Sequence, residues 1–259
     1  MEFSLSGKKT STLFKALAVS LDFDITVEQT EEKLLFSDGR HVYGEFDRDY
    51  FDEYTIDAQN RVIIDTKLFS RLLSSKYSMK IDQYRFHFPH EELYAKDFPK
   101  FCIKKFILNK EKGELGLDAK VSNDYIEKPF SFEGDFPVIK KTNTPLTTCL
   151  VFSKKNKNLI STLVGKKKRM VEMKVTFDDG ITMENKSGDS ANLFDVKIIN
   201  NPSTFTNKYG SHDLPLIMRL PTHPTIYTAP NCPLLCINNF ADYRIAMVIP
   251  VIKNEIRKA

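Results

Sequence analysis

Apolar and polar positions along residues 3–46 follow an order that predicts one strand, one helix and then three more strands. The strand at 3–6 leads into a helix at about 8–20, where apolar residues recur every three or four positions. Strands at 25–29, 33–36 and 41–46 follow. An Asp38-Gly39 dipeptide separates the last two strands, and such a dipeptide between alternating stretches is typical of a hairpin turn.

The same order of elements recurs at residues 147–199, so the chain contains an internal repeat. A strand at 147–152 and a helix at 154–164 are followed by strands at 170–177, 181–184 and 193–199. The two helices align without gaps. Their matching positions are Lys8 with Lys154, Lys9 with Lys155, Leu13 with Leu159, Phe14 with Ile160, and Leu17 with Leu163. A third copy is visible as a strand at 61–65, a helix at 66–75 and strands at 79–81 and 84–88.

These repeats fall into two groups, which predicts two domains, at residues 1–132 and 146–259. The breaker-rich segment 133–145 is the predicted interdomain linker. Between residues 199 and 214, Pro202 and Gly210 disfavour a long helix, so the second domain is expected to be short. The predicted fold class is α+β.

The three predicted helices share a basic side without acidic residues. At 100° per residue, each also has an apolar stripe on the opposite side, with Val19 as the one apolar residue on the polar side of the first helix. Ordinary solvated helices mix both charges, whereas a phosphate backbone favours one sign. A basic solvated surface is the alternative interpretation. The candidate DNA-binding residues are Lys8, Lys9, Lys15, Lys67, Arg71, Lys154, Lys155 and Lys157.

A run of four cations follows the helix predicted at 154–164: Lys166, Lys167, Lys168 and Arg169. Three interpretations stay open: phosphate contacts, a nuclear-import patch, or a solvated loop. We add the four residues to the candidate DNA-binding set.

Composition narrows the class of protein only modestly. The chain is 41% hydrophobic with a net charge of +4, which permits a polyanionic partner without requiring one. No apolar run approaches the roughly 20 residues that span a bilayer, and the first residues lack a secretory pattern, so we expect a soluble intracellular protein. The pair Cys232 and Cys236 lacks the spacing of a zinc site. We predict no metal and no cofactor.

Catalytic patterns are weak in this sequence, and we expect no enzymatic activity. None of the five histidines lies near a nucleophile motif, and no glycine-rich phosphate loop occurs. A metal-dependent nuclease is the enzymatic alternative, because its chemistry needs clustered carboxylates. The sequence has two such groups, which both look like loop and turn residues: Asp47, Asp49, Asp52 and Glu53 in the first, and Asp178 with Asp179 in the second.

The repeat plan resembles that of the eukaryotic sliding DNA clamps, and several stretches are most similar to the Rad-nine family of the nine-one-one checkpoint clamp. The stretches that carry the likeness are MEFSLSG (1–7) with LFKAL (13–17), SDGRHVYGEF (37–46), YFDEY (50–54), ELGL (114–117) with KPFSF (128–132), and LIMRLP (216–221) with PTIY (224–227). The last two are similar to the closing hairpin of the family's second domain.

The resemblance implies a two-domain clamp fold, with helices lining an inner face and antiparallel sheets outside. It implies that Lys8, Lys15, Lys67, Arg71, Lys154 and Lys155 face DNA. It also implies a nuclear heterotrimeric ring with two other clamp subunits. Such a ring encircles double-stranded DNA in damage-checkpoint signalling and repair, is loaded by an ATP-driven clamp loader, and has no membrane partner. A homotrimeric replicative processivity clamp and a ring-independent basic nucleic-acid-binding module are the alternatives.

Overall fold

The computed structural model of the chain describes residues 2–20, 24–56, 61–65, 83–87, 106–109, 114–117, 120–121, 125–151, 153–165, 171–221 and 223–252. Strands predominate, α-helices are few, and the strand pairings are mostly antiparallel. The predicted α+β class is therefore confirmed. Within these residues no helix is long and apolar enough to cross a membrane.

The chain divides into two compact units. The first unit comprises Met1–Glu127 and Asn239–Ile245, and the second comprises Lys128–Asn238 and Ala246–Ala259. Much of the segment 133–145, predicted as a linker, belongs to short strands of the second unit.

The first unit begins with the predicted strand, helix and three strands. These are β1 (Glu2–Ser6), α1 (Gly7–Leu17) with a 3-10 turn (Ala18–Ser20), β2 (Asp24–Gln29), β3 (Lys33–Ser37) and β4 (Val42–Asp47). A 3-10 turn (Arg48–Tyr50) and six more strands follow. The strands are β5 (Glu53–Thr55), β6 (Arg61–Asp65), β7 (Gln83–His87), β8 (Phe106–Asn109), β9 (Glu114–Leu117) and β10 (Lys120–Val121).

In this unit α1 joins two different sheets. The strand before the helix, β1, lies between β5 and β7 in a sheet of order β5-β1-β7-β9-β8, where β7 and β9 pair in parallel. The three strands after the helix form an antiparallel meander, β2-β3-β4. On the β2 side the sheet continues to β6 and then β10. Gly44 on β4 lies opposite Phe36 on β3, and a side chain at Gly44 would overlap the buried Phe36 ring.

The second unit repeats this arrangement after a small sheet. Its elements are β11 (Phe130–Glu133), β12 (Phe136–Ile139), β13 (Thr144–Pro145), β14 (Thr148–Val151), a 3-10 turn (Lys154–Asn156), α2 (Lys157–Val164), β15 (Glu172–Phe177), β16 (Ile181–Asn185), β17 (Ser190–Asn192), β18 (Lys197–Asn200), β19 (Phe205–Gly210), a 3-10 helix (Leu214–Arg219), β20 (Thr225–Thr228), β21 (Leu234–Asn239) and β22 (Tyr243–Ile249). Residues 239 and 243–245 of the last two strands belong to the first unit.

Here too the helix joins two sheets. The strand before α2, β14, lies between β18 and β20, whereas the strands after it form the meander β15-β16-β17, with β19 on the free side of β15. Each unit therefore has one strand, a crossing helix, and a three-stranded meander in another sheet. The order of strand, helix and three strands predicted at 3–46 and at 147–199 is present in both units, although the third strand of the second meander is β17 and not the strand predicted at 193–199.

Several details differ from the sequence predictions. Residues 216–221, similar to a hairpin strand, lie mostly in a 3-10 helix that starts next to Pro215, a residue without the N–H that a sheet requires. The strand predicted at 193–199 begins only at Lys197. Val19, placed on the polar side of α1, is buried because the chain tightens to a 3-10 turn after Leu17 and rotates it inward. The helix predicted at 66–75 and the strand at 79–81 lie outside the described residues.

Candidate nucleic-acid interface

Helix α1 presents a polar side without carboxylates. Leu13, Ala16 and Leu17 are buried under the helix, and Thr10 donates its hydroxyl hydrogen to the Ser6 carbonyl (3.0 Å) at the junction with β1. Lys15 is exposed in the last turn. A cation near a helix C-terminus is favoured by the helix dipole, so Lys15 is well placed locally as well as open to a ligand.

Helix α2 has the same two-sided character. Ser153 precedes the 3-10 turn that leads into α2, and its hydroxyl oxygen accepts a hydrogen bond from the Lys155 backbone N–H (3.2 Å). Ile160 and Leu163 are buried, whereas Leu159 and Val164 are only partly covered. The residues exposed on the other side, all uncharged or basic, are Lys155, Lys157, Asn158, Ser161 and Thr162.

Lysines crowd the start of α1 and the 3-10 turn that leads into α2, where local electrostatics disfavours them. The unpaired N–H groups and the helix dipole make the N-terminus positive, so acidic residues are stabilising there and cations are destabilising by about 0.3–1 kcal/mol each. Neither helix has an acidic residue in its first turn. Basic residues at this position suit a helix that receives an external anion.

In the first unit an aspartate outside the helix neutralises one of these lysines. The ammonium of Lys9 lies 2.9 Å from an Asp52 carboxylate oxygen, and the two side chains are 36% and 32% exposed. Tyr50 fixes this geometry, because its hydroxyl donates to the Lys9 carbonyl (2.8 Å) and its ring lies 5.7 Å from the ammonium. The Asp52 N–H also donates to the Ser4 carbonyl (2.9 Å).

In the second unit the matching lysine has the same kind of partner. The ammonium of Lys155 lies 3.0 Å from an Asp195 carboxylate oxygen, with the side chains 72% and 53% exposed. The buried amide of Asn156 holds the loop that carries Asp195. It donates to the Phe194 carbonyl (2.7 Å) and accepts from the Phe194 N–H (3.0 Å). Asp195 itself adopts a left-handed backbone conformation, with φ of 52°.

The structure places only some of the candidate DNA-binding residues. Lys9, Lys15, Lys155 and Lys157 have described side chains, and none of these four is buried. The backbones of Lys8 and Lys154 lie at the starts of the two helical segments, but their side chains are outside the described part. Lys67, Arg71, Lys166, Lys167, Lys168 and Arg169 also lie outside the described residues. The DNA-binding role of the whole set stays a prediction.

Sequence reasoning missed the residues that complete the two helix starts: Asp52, Asp195, Tyr50 and Asn156. Tyr50 and Asp52 were noted only in the YFDEY stretch of the family resemblance and, for Asp52, in a carboxylate cluster. In the structure each aspartate follows the last strand of its meander, 43 and 40 residues after its lysine. The strand predicted at 193–199 instead placed Asp195 inside a strand, so the sequence prediction concealed this correspondence.

Three of the carboxylates considered for the nuclease alternative each have a different partner. Asp47 lies 3.2 Å from Lys33, Asp52 pairs with Lys9, and one Asp178 oxygen accepts from the Gly180 N–H (2.9 Å) within its turn. In the portion of the chain that is described, no three His, Cys, Asp or Glu residues are grouped to hold a metal ion.

Three of the four cysteines are described, and each is a buried free thiol: Cys149, Cys232 and Cys236. Burial raises the pKa of all three thiols above the ordinary value, most strongly for Cys236. A raised pKa keeps the thiol protonated at neutral pH, which disfavours nucleophilic chemistry at these positions. Cys102 lies outside the described residues.

Comparison with known proteins adds no relative. No protein-family model matches the chain, and no curated protein sequence matches it.

Proposed function

We propose that this chain is a subunit of a ring-shaped sliding clamp that encircles double-stranded DNA. Within that class we propose a nuclear, Rad-nine-like member of a heterotrimeric checkpoint ring, acting in DNA-damage signalling and repair. Its two partners would be other clamp subunits, and an ATP-driven clamp loader would open the ring. The chain itself would hold and recruit rather than catalyse.

The observation that carries this proposal is the repeated unit with its one-signed helix. In each unit a helix crosses from one sheet to a meander in another, and each described helix lacks acidic residues. Lysines at the helix starts oppose the helix dipole, which is a local destabilisation that an external polyanion reverses. The likeness of residues 1–54 to the checkpoint-clamp family is the reason for proposing DNA as the polyanion and a heterotrimeric ring as the assembly.

A closed ring explains why few strong contacts are needed. Topological linkage holds DNA without a tight site, and phosphate contacts from lysines are independent of base sequence. The exposed Lys15 and Lys157 are suited to such contacts because each is solvent-exposed on the acid-free side of its helix.

A retention experiment on circular DNA tests the proposal. The tagged chain is isolated from its own cells with its partners, and the mass of the complex is measured. The complex is then loaded onto nicked circular DNA with clamp loader and ATP. We expect a heterotrimer that stays on the circle at high salt and is released when the circle is cut. A homotrimer would favour the replicative alternative, and a monomer that cleaves DNA with metal would favour the nuclease.

The lysine variants Lys15→Gln and Lys157→Gln test which residues contact DNA. If each lysine neutralises one phosphate, each variant lowers the slope of log affinity against log salt by about 0.9. Lys186→Gln, an exposed lysine in the turn between β16 and β17, is the matched control and is expected to leave the slope unchanged. Equal slopes for all three variants would contradict the proposed DNA-facing role of the helices.

A further inference from the structure

We propose that Asp52 and Asp195 compete with DNA phosphates for Lys9 and Lys155, and that this competition keeps each helix start weakly attached to DNA. The inference rests on the proposed function, because it requires α1 and α2 to face a nucleic acid. It goes beyond that function by assigning to two acidic residues the role of lowering the affinity of the helix starts for DNA.

The first argument is that the same ion pair is built twice. Lys9 and Lys155 occupy matching positions of the aligned helix starts, and each ammonium lies about one hydrogen-bond length from a single carboxylate, 2.9 Å and 3.0 Å away. Each carboxylate follows the last strand of its own unit's meander, which is β4 for Asp52 and β17 for Asp195. A chance surface pair has no reason to recur at corresponding positions of two units.

The second argument is that the supports of the two aspartates differ although the pair is the same. In the first unit the loop is fixed by the Tyr50 hydroxyl and by the Asp52 N–H bonded to Ser4. In the second unit the Asn156 amide binds both backbone groups of Phe194, next to Asp195. Two unrelated sets of contacts deliver a carboxylate to the same lysine, so the delivered charge is the feature in common.

The third argument concerns strength. Exposed lysine–carboxylate pairs contribute about 0.2–1 kcal/mol, so a phosphate is able to displace them. While the ion pair is intact, the lysine neutralises less phosphate charge, so fewer counterions leave the DNA on binding. The lysine then contributes less to the salt dependence of the affinity. An aspartate beside the lysine thus weakens DNA binding without preventing it, which suits a ring that must move along DNA.

The test is a salt titration of duplex-DNA binding by the copurified complex. The variants are Asp52→Asn, Asp195→Asn and their combination. Asparagine keeps the shape of the side chain and tolerates the left-handed backbone of Asp195. Each single variant is expected to tighten binding up to about fivefold and to steepen the salt slope by up to about 0.9. The combined variant is expected to show both changes.

Matched controls separate competition from a simple loss of negative charge. Asp49→Asn in the first unit and Asp179→Asn in the second remove the same charge from exposed positions. A sharper control is the pair Lys9→Gln with Asp52→Asn, because Asp52→Asn is expected to have no effect on the slope once Lys9 is gone. Thermal melting of every variant checks that folding is retained.

The outcomes distinguish this inference from the proposed function. If the paired and control aspartate variants change the slope equally, the competition is refuted. The clamp proposal would survive that result provided that Lys15→Gln and Lys157→Gln still flatten the slope. If neither wild type nor the combined aspartate variant binds DNA, both are refuted. Binding that appears only in the combined variant would support the competition.

Discussion

The starts of α1 and α2 carry the same lysine–aspartate contact, yet the two units support it with different chemistry. In the first unit the support is aromatic: Tyr50 packs against Phe46, Phe51 and Tyr243, with ring centroids 4.8 Å, 5.6 Å and 5.9 Å away. In the second unit it is one buried amide, Asn156. The same lysine–aspartate contact is therefore present in two units whose surrounding packing is different.

The aromatic support also reaches further into its unit than the amide does. Phe46 is fully buried, stacks on Tyr243 at 4.9 Å and lies near Phe36, so it links the support to the β3–β4 meander. Asn156 bonds to Ser153 and Phe194, which are both local to the helix start. Damage to the first support is therefore expected to spread, whereas damage to the second stays near α2.

Removal of the aromatic support is expected to have the largest effect. Phe46→Ala deletes a fully buried ring and is expected to lower the free energy of unfolding by about 3–5 kcal/mol. Amide hydrogen exchange then resolves the two units: the Asp52 N–H, bonded to Ser4, speeds up, and the Phe194 N–H does not. Phe132→Ala is the control, because that ring is 41% exposed. Equal acceleration of both amides would contradict the separation of the two supports.

Removal of the amide support is expected to have an intermediate effect. Asn156→Ala leaves two Phe194 backbone groups without their partner, which destabilises the unit by about 1–3 kcal/mol. Here the Phe194 N–H exchanges faster and the Asp52 N–H is unchanged. Asn158→Ala, at an exposed position two residues later in the first turn of α2, is expected to be nearly neutral. A neutral Asn156→Ala would show that the loop is held by other contacts.

Much of the backbone pattern could be predicted from the sequence, whereas the two ion pairs could not. Strands β2, β3 and β4 and both helices lie within a few residues of their predicted positions, because apolar periodicity and the Asp38-Gly39 turn are local signals. The pairing of Lys155 with Asp195 depends on a left-handed loop residue and on Asn156, contacts that join positions 38–40 residues apart. Local patterns do not encode such distances.

The smallest expected effect comes from the Tyr50 hydroxyl alone. Tyr50→Phe keeps the ring and its contact with the Lys9 ammonium but removes the hydrogen bond to the Lys9 carbonyl, a loss of about 1 kcal/mol. The measurement is urea unfolding of wild type and variant at a series of pH values. Tyr125→Phe is the control, because the Tyr125 side chain is 73% exposed.

The difference between wild type and Tyr50→Phe is expected to depend on pH in one window only. Burial is the main cause that raises the pKa of Tyr50 from its ordinary value of 10.0 to about 12. A raised pKa in the folded state means that the neutral hydroxyl stabilises the fold fully below pH 10 and that this contribution is lost as the pH rises towards 12. Other buried tyrosines titrate in both proteins, so their effects cancel in the difference. A difference in unfolding free energy that stayed constant through this window would mean that the Tyr50 hydroxyl is solvated in the folded protein. The aromatic support of Lys9 would then be as weak as the exposed ion pair.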